Sequence, residues 1–185
     1  ESVPLDPAAS GAALLLVDTR ARHTLADGSY SLRRQQCERA ARALGVRSLR
    51  DVQAVSAVSR LADPVLRRRA RHVITENRRV LAAVRMLRAG NLAGVGPLLR
   101  GSHSSLRDDF EISWPEADVA VEAAERAGAL GARMMGGGFG GSVIALVPGD
   151  GAAVRLAITA AYVRQGWQPP RFLSAPPSPG AHRIR

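Results

Sequence analysis

Five glycines in six residues, Gly136-Gly-Gly-Phe-Gly-Gly141, give this sequence its strongest local signal for chemistry. A loop of this kind lets the backbone approach another surface closely or adopt φ > 0. Its N–H groups can also converge into a concave anion site. The spacing satisfies G-x-G-x-x-G, but a dinucleotide fingerprint needs a strand before the loop and a helix after it. Here an apolar run, Ser142–Val147, follows, so the expected unit is strand–loop–strand. A Walker lysine is excluded because the chain has no Lys at all. The residues alone leave two readings open: an anion-facing loop, or a hairpin connection packed for structural reasons.

A second concentration of polar groups is Gly101-Ser-His-Ser-Ser-Leu-Arg-Asp-Asp-Phe110. Its expected form is a polar connection between two helices, in which His103, Ser104, Arg107 and Asp108 either cap and brace the chain, the favoured role, or reach a ligand. A Ser and a His close in sequence are no sign of nucleophilic catalysis, which depends on three-dimensional geometry. Tyr30 follows Asp27, Gly28 and Ser29 at the start of a helix. It reads either as a ring with its hydroxyl in a pocket or as an ordinary half-buried core Tyr. Cys37, the single cysteine, is expected to pack with Ala40, Ala41 and Leu44. It excludes an internal disulfide framework. Four scattered His form no metal-ligand spacing.

The elements that must carry these groups follow from periodicity and punctuation. Ala12–Asp18 reads as a buried strand and Ser29–Leu44 as a helix ended by Gly45. Ser48 and Asp51 suggest a capping box. Asp63 and Pro64 open a long helix to Ala89, with a stripe of Leu66, Ala70, Val73, Asn77, Val80, Val84 and Leu87. Asn77 is expected in the core, and Arg67, Arg68, Arg71, Arg78 and Arg85 on a solvated face. Asn91–Leu99 reads as helical. Ser113 is the expected cap of a helix reaching Ala127. Ala129–Met135 and Ser142–Val147 read as strands, Ala152–Gln165 as a helix and Pro170–Ser174 as a last strand. This mixture is an α+β domain.

The 185 residues are 46% hydrophobic, ample for a core and too apolar for disorder. No run approaches the ~18 apolar residues of a membrane span, and no secretory leader is evident. The expected location is the cytoplasm. The formal charge of +10 comes from 26 basic residues, all Arg. Such a balance admits a nucleic-acid binder. However, only 4% of residues are aromatic, which leaves few platforms for base stacking and disfavours that class.

Four segments in order resemble the C-terminal half of the galactokinase family of GHMP small-molecule kinases: VDTRARHTLADGSYSLRRQQCERAARALG, RHVITENRRVLAAVRML, GSHSSLRDDFEISWPEAD and GARMMGGGFGGSVIALV. The glycine loop is common to the superfamily, whereas the GSYSLRRQQCE and SHSSLRDDFE segments are particular to galactokinases. The resemblance implies a GHMP-kinase C-terminal domain over 1–174, a small antiparallel sheet packed with helices, ferredoxin-like with extra helices. A Pro- and Arg-rich tail, 175–185, would follow.

The resemblance also implies roles. Tyr30 corresponds to the galactose-contacting Tyr. Gly136, Gly137, Gly138, Phe139, Gly140 and Gly141 correspond to the superfamily's third motif, beside the phosphate-binding loop. His103 to Asp109 correspond to a mainly architectural signature. Met135 replaces the usual Thr and removes a hydroxyl near the active site; Ser142 stands where Cys is common.

The family's phosphate-binding loop, magnesium ligands and catalytic Asp and Arg belong to an N-terminal half whose motifs this sequence lacks. ATP, Mg2+ and galactose are therefore implied for the intact enzyme, with a separate N-terminal half as a partner and no catalytic or metal-binding residue in this chain. Alone, the chain is expected to be inactive. A non-catalytic, sugar-responsive protein on the same fold is the alternative. Neither nucleic acid nor a membrane is expected as a partner.

Overall fold

A computed structural model describes residues 3, 5–21 and 28–177. Its sheet has four strands, β1 (Ala12–Asp18), β2 (Gly131–Met135), β3 (Ser142–Pro148) and β4 (Arg171–Ser174), in the order β2-β3-β1-β4. Every neighbouring pair is antiparallel, with Leu15 opposite Ala145 and Ala132 opposite Ala145 on its other side. The expected strands are all present, within two residues at their ends.

Alternation along each strand decides the packing. Leu15, Val17, Ala132, Met134, Val143, Ala145 and Val147 point to one face and are buried there. Two helices cover them, α4 (Pro115–Arg126) and α5 (Ala152–Arg164). The contact side of α4 is built from Ala117, Ala120, Val121 and Ala124, and α5 adds Val154, Ile158 and Tyr162. The small alanines let α4 lie close, and Tyr162 closes the layer by donating its hydroxyl to Glu116 O at 2.8 Å. The other face carries Ala12 and Leu146, which pack with Leu87 and Leu99 of two neighbouring helices and with Leu92 of the connection between them.

A second core lies between α1 (Ser29–Ala43), α2 (Pro64–Arg88) and the short turns 49–51 and 55–60. It holds Ala40, Ala41, Leu44, Leu49, Val58, Leu61, Leu66, Ala70 and Ile74, with Cys37 packed against it as expected. Asp63 caps α2 by accepting from Val65 and Leu66 N–H, and Ser48 and Asp51 form the anticipated capping box.

Three local expectations need correction. Residues 95–108 form one helix, α3 (Val95–Asp108), where a break and a polar connection were expected. Ser102, His103 and Ser105 on it are buried and matched to neighbours, while Ser104, Arg107 and Asp108 are exposed. Ser102 Oγ donates to Glu76 at 2.6 Å, and the Met134 N–H donates to His103 Nδ1 at 3.3 Å. Polarity here marks a seam between elements, not exposure to water. Ser113 does not cap α4; Trp114 holds that position, and the Ser113 hydroxyl bonds Asp118 instead. Asn77 is only half-buried, and Val80 beyond it is 60% exposed, because the second core ends near Ile74.

Candidate functional site

The glycine loop joins β2 to β3 at one end of the sheet. Gly136, Gly138, Gly140 and Gly141 all have positive φ, and Phe139 between them has φ +60. A conformation of this sort is open to glycine and costly for most other residues. The loop is pinned at two points. The Phe139 N–H donates to Ile112 O at 2.9 Å. Gly141 O accepts from the Thr19 N–H at 3.1 Å and from the Thr19 hydroxyl at 2.5 Å. Trp114 Nε1 in turn donates to that hydroxyl at 3.1 Å. Gly138 sits so close to Ile112 that a Cβ there would fall 2.6 Å from Ile112 Cβ and from its carbonyl oxygen.

Gly28, at φ +71, opens α1 and sends Tyr30 outward, 71% exposed. Tyr30 is therefore not a core residue. Instead it borders an open cavity of about 230 Å³ together with Arg33, Phe110, Ile112, Gly137 and Phe139. Tyr30 and the glycine loop thus meet in space although more than a hundred residues separate them in sequence. Asp27 lies outside the described residues, as do 178–185 of the tail.

The cavity wall is tied down by a turn between α3 and α4. Glu111 in this turn has φ +55, a left-handed conformation uncommon outside glycine. Arg33 donates to Phe110 O at 2.6 Å and to Glu111 O at 3.0 Å. Buried Arg69 donates to Asp109 O at 2.6 Å, to the Glu111 carboxylate at 2.6 Å and to Gln36 at 2.8 Å. The bond from Arg69 holds the Glu111 carboxyl below its ordinary pKa. Burial, and then the nearby Arg69 charge, lower the Arg33 guanidinium.

Behind the wall, His72 stacks on Phe110 with ring centres 4.3 Å apart. Its Nδ1 lies 3.0 Å from Ser105 Oγ, which itself donates to Asp109 at 3.2 Å, so Nδ1 carries the proton. Burial depresses the His72 pKa to about 4.

Other expected polar residues lie elsewhere. His103 is buried between α3, β2 and α4, its Nε2 3.1 Å from Asp118. It ties three elements together and does not border the cavity. The arginines expected on a solvated face are partly engaged: Arg68 pairs with Glu111, Arg71 with Asp109, and Arg78 donates to Gln53 O. Sequence reasoning missed Arg33, Phe110 and Ile112 as cavity residues. The one available signal was that Arg33 stands one helical turn from Tyr30.

Chemically, the cavity combines two aromatic rings beside Tyr30, guanidinium groups and glycine backbone. That suits a polar ligand with an apolar face. Among the described residues that line it, none is a carboxylate, imidazole or thiol. Among the described residues no group of three His, Cys, Asp or Glu stands together to hold a metal ion. No helix of the described residues is long and apolar enough to cross a membrane.

The family "GHMP kinases C terminal" matches residues 82–164. A galactokinase from Mycobacterium tuberculosis H37Rv is 50% identical over 186 residues, covering 99% of this chain and 51% of that protein. One from Streptomyces coelicolor is 48% identical, covering 98% and 48%. Among solved structures, Lactococcus lactis galactokinase complexed with galactose superposes with a TM-score of 0.84 at 34% identity, over 90% of this chain and 45% of that one. Leishmania major mevalonate kinase with R-mevalonate gives 0.55 at 19% identity and shares the fold alone. The chain spans about half the length of the curated relatives it matches.

Proposed function

We propose, for a chain that carries the GHMP kinase C-terminal domain and is similar end to end to the C-terminal part of galactokinases, that it serves ATP-dependent phosphorylation of the C1 hydroxyl of α-D-galactose in the cytoplasm. The observation that carries this reading is the shared cavity. Tyr30 and the glycine loop, the two features that the galactokinase resemblance assigns to sugar and to phosphate, line one opening. Phosphoryl transfer rests on placing nucleotide, metal and acceptor together. The chain supplies acceptor-side surface, while the base and the magnesium ligands come from an N-terminal half.

Such a half also has a place to pack. Ile144, Leu16 and Leu173 stand side by side across the sheet on the face away from α4 and α5. Leu173 is 53% exposed, and Val80 and Leu81 on α2 are exposed as well. Apolar surface left in water is what a missing partner layer would cover.

The test is reconstitution. Alone, the chain should release no ADP in response to galactose. Mixed or co-expressed with the N-terminal half of the Mycobacterium tuberculosis relative, it should restore galactose-dependent ADP release. Tyr30→Phe in the reconstituted enzyme should raise KM for galactose more than KM for ATP. Turnover by the chain alone refutes the division of labour. A reconstituted complex that forms but stays inert with galactose refutes the substrate.

A further inference from the structure

The turn at Asp109–Ile112 is held from two sides by guanidinium groups, and the next residue along holds the glycine loop. A left-handed Glu111 persists only because its surroundings over-determine it. Arg33 grips the carbonyls of Phe110 and Glu111 from α1. Arg69 grips Asp109 O and the Glu111 carboxylate from α2. Ile112 then accepts the Phe139 N–H and lies against Gly138.

Arg33 also reaches the loop directly, with its guanidinium carbon 5.8 Å from the centre of the Phe139 ring, a cation–π contact. On α1 it stands three residues from Tyr30, on the same side of the helix. One side chain therefore touches both the strut and the loop, and shares a helix turn with the exposed Tyr.

The two arginines differ in kind. Arg69 is 2% exposed and bonded to Gln36 inside the helical core, so its loss damages the fold. Arg33 stands in the cavity wall with a side chain 14% exposed, and no bond it makes reaches the sheet core. We infer that Arg33 is a positioning residue. It fixes the gap between Tyr30 and the glycine loop, and thereby sets how tightly the sugar is held. This rests on the reading of the cavity as the galactose side of a kinase.

The test has two arms. In the full chain, Arg33→Gln should speed amide hydrogen exchange at residues 110–112 and 136–141 by about five-fold or more, with α4 and α5 unchanged. Arg33→Lys keeps a charge but not the two-carbonyl fork, and should fall between. In the reconstituted enzyme, Arg33→Gln should raise KM for galactose by about ten-fold and leave KM for ATP within roughly two-fold, with partial recovery in Arg33→Lys.

Unchanged exchange in the loop overturns the inference. So does acceleration throughout α4 and α5 with a lowered Tm, since Arg33 would then act on the whole fold. Equal rises in both KM values overturn it as well. If the unsubstituted complex fails to use galactose, the kinase reading falls, and the exchange arm still decides whether Arg33 holds the loop.

Discussion

Gly96→Ala tests how α3 is seated on the sheet. A Cβ at Gly96 would lie 1.9 Å from Leu130 O and 2.6 Å from Leu130 C. At Gly131, on the facing strand, a Cβ would lie 2.3 Å from Gly96 O. Helix and strand therefore meet backbone to backbone, and neither can yield by a rotamer change. An ordinary carbon–oxygen contact is about 3.3 Å, so α3 would have to lift by roughly 1.4 Å. Overpacking of this kind costs about 1–3 kcal/mol, and a rigid backbone partner puts this case at the upper end. Against it stands the gain of about 1 kcal/mol for Ala over Gly within a helix. The net expectation is a loss of roughly 2 kcal/mol, or about 4–8 °C in Tm for a chain of this size. Gly101→Ala on the same helix is the control, because its Cβ meets the Nε of Arg79 at 3.1 Å, the far part of a flexible side chain. It receives the same propensity gain without the backbone clash, so its stability should hold or rise by up to ~1 kcal/mol. Urea melts of the three proteins decide the matter. A Gly96→Ala protein as stable as the parent would mean that the helix–strand contact is slack and that propensity governs α3.

Two further perturbations are expected to be informative. The folded-state pKa of His72 lies near 4, below the 6.5 of a free imidazole, because burial disfavours its charge. Its contribution is therefore fully present above about pH 6.5 and is lost as pH falls toward 4. The loss is on the order of 3 kcal/mol, and His72→Gln should flatten the slope of Tm between pH 7 and 5. In the glycine loop, Gly138→Ala meets both φ +87 and the 2.6 Å contact with Ile112, and should distort the loop and abolish activity in the reconstituted enzyme. Gly137→Ala, with open space around its Cβ and no positive φ, should keep the fold; loss of activity there would point to a requirement of the ligand.

Most elements could be read from the sequence because one physical signal dominated each. Ala12–Asp18 is apolar enough to be buried, and Asp63-Pro64 starts a helix by chemistry local to those residues. The second half of α3 was not readable, because Ser102, His103 and Ser105 find partners on α2, β2 and α4 that are distant in sequence. Local polarity cannot distinguish such a seam from a loop. The site was half-readable. Glycines advertise positive φ, so the 136–141 loop stood out. Glu111 takes the same conformation with a side chain that gives no such signal, held by arginines from two other helices. The exposure of Tyr30 likewise depends on where α1 docks, and helix periodicity says nothing about that.

The arginines change meaning once their bonds are traced. A charge of +10 invites a nucleic-acid surface. Yet Arg33, Arg69, Arg78 and Arg100 each donate to main-chain carbonyls, at Phe110 and Glu111, Asp109, Gln53 and Leu130 respectively. Arg133 and Arg79 pair with Glu76 between α2 and β2. A guanidinium can bridge two carbonyls in a fixed plane, and an ammonium cannot hold that geometry. These arginines serve as internal struts for turns that lack hydrogen-bonded ladders of their own. The two that grip the Glu111 turn set the cavity wall. The charge of these arginines is therefore spent on shape.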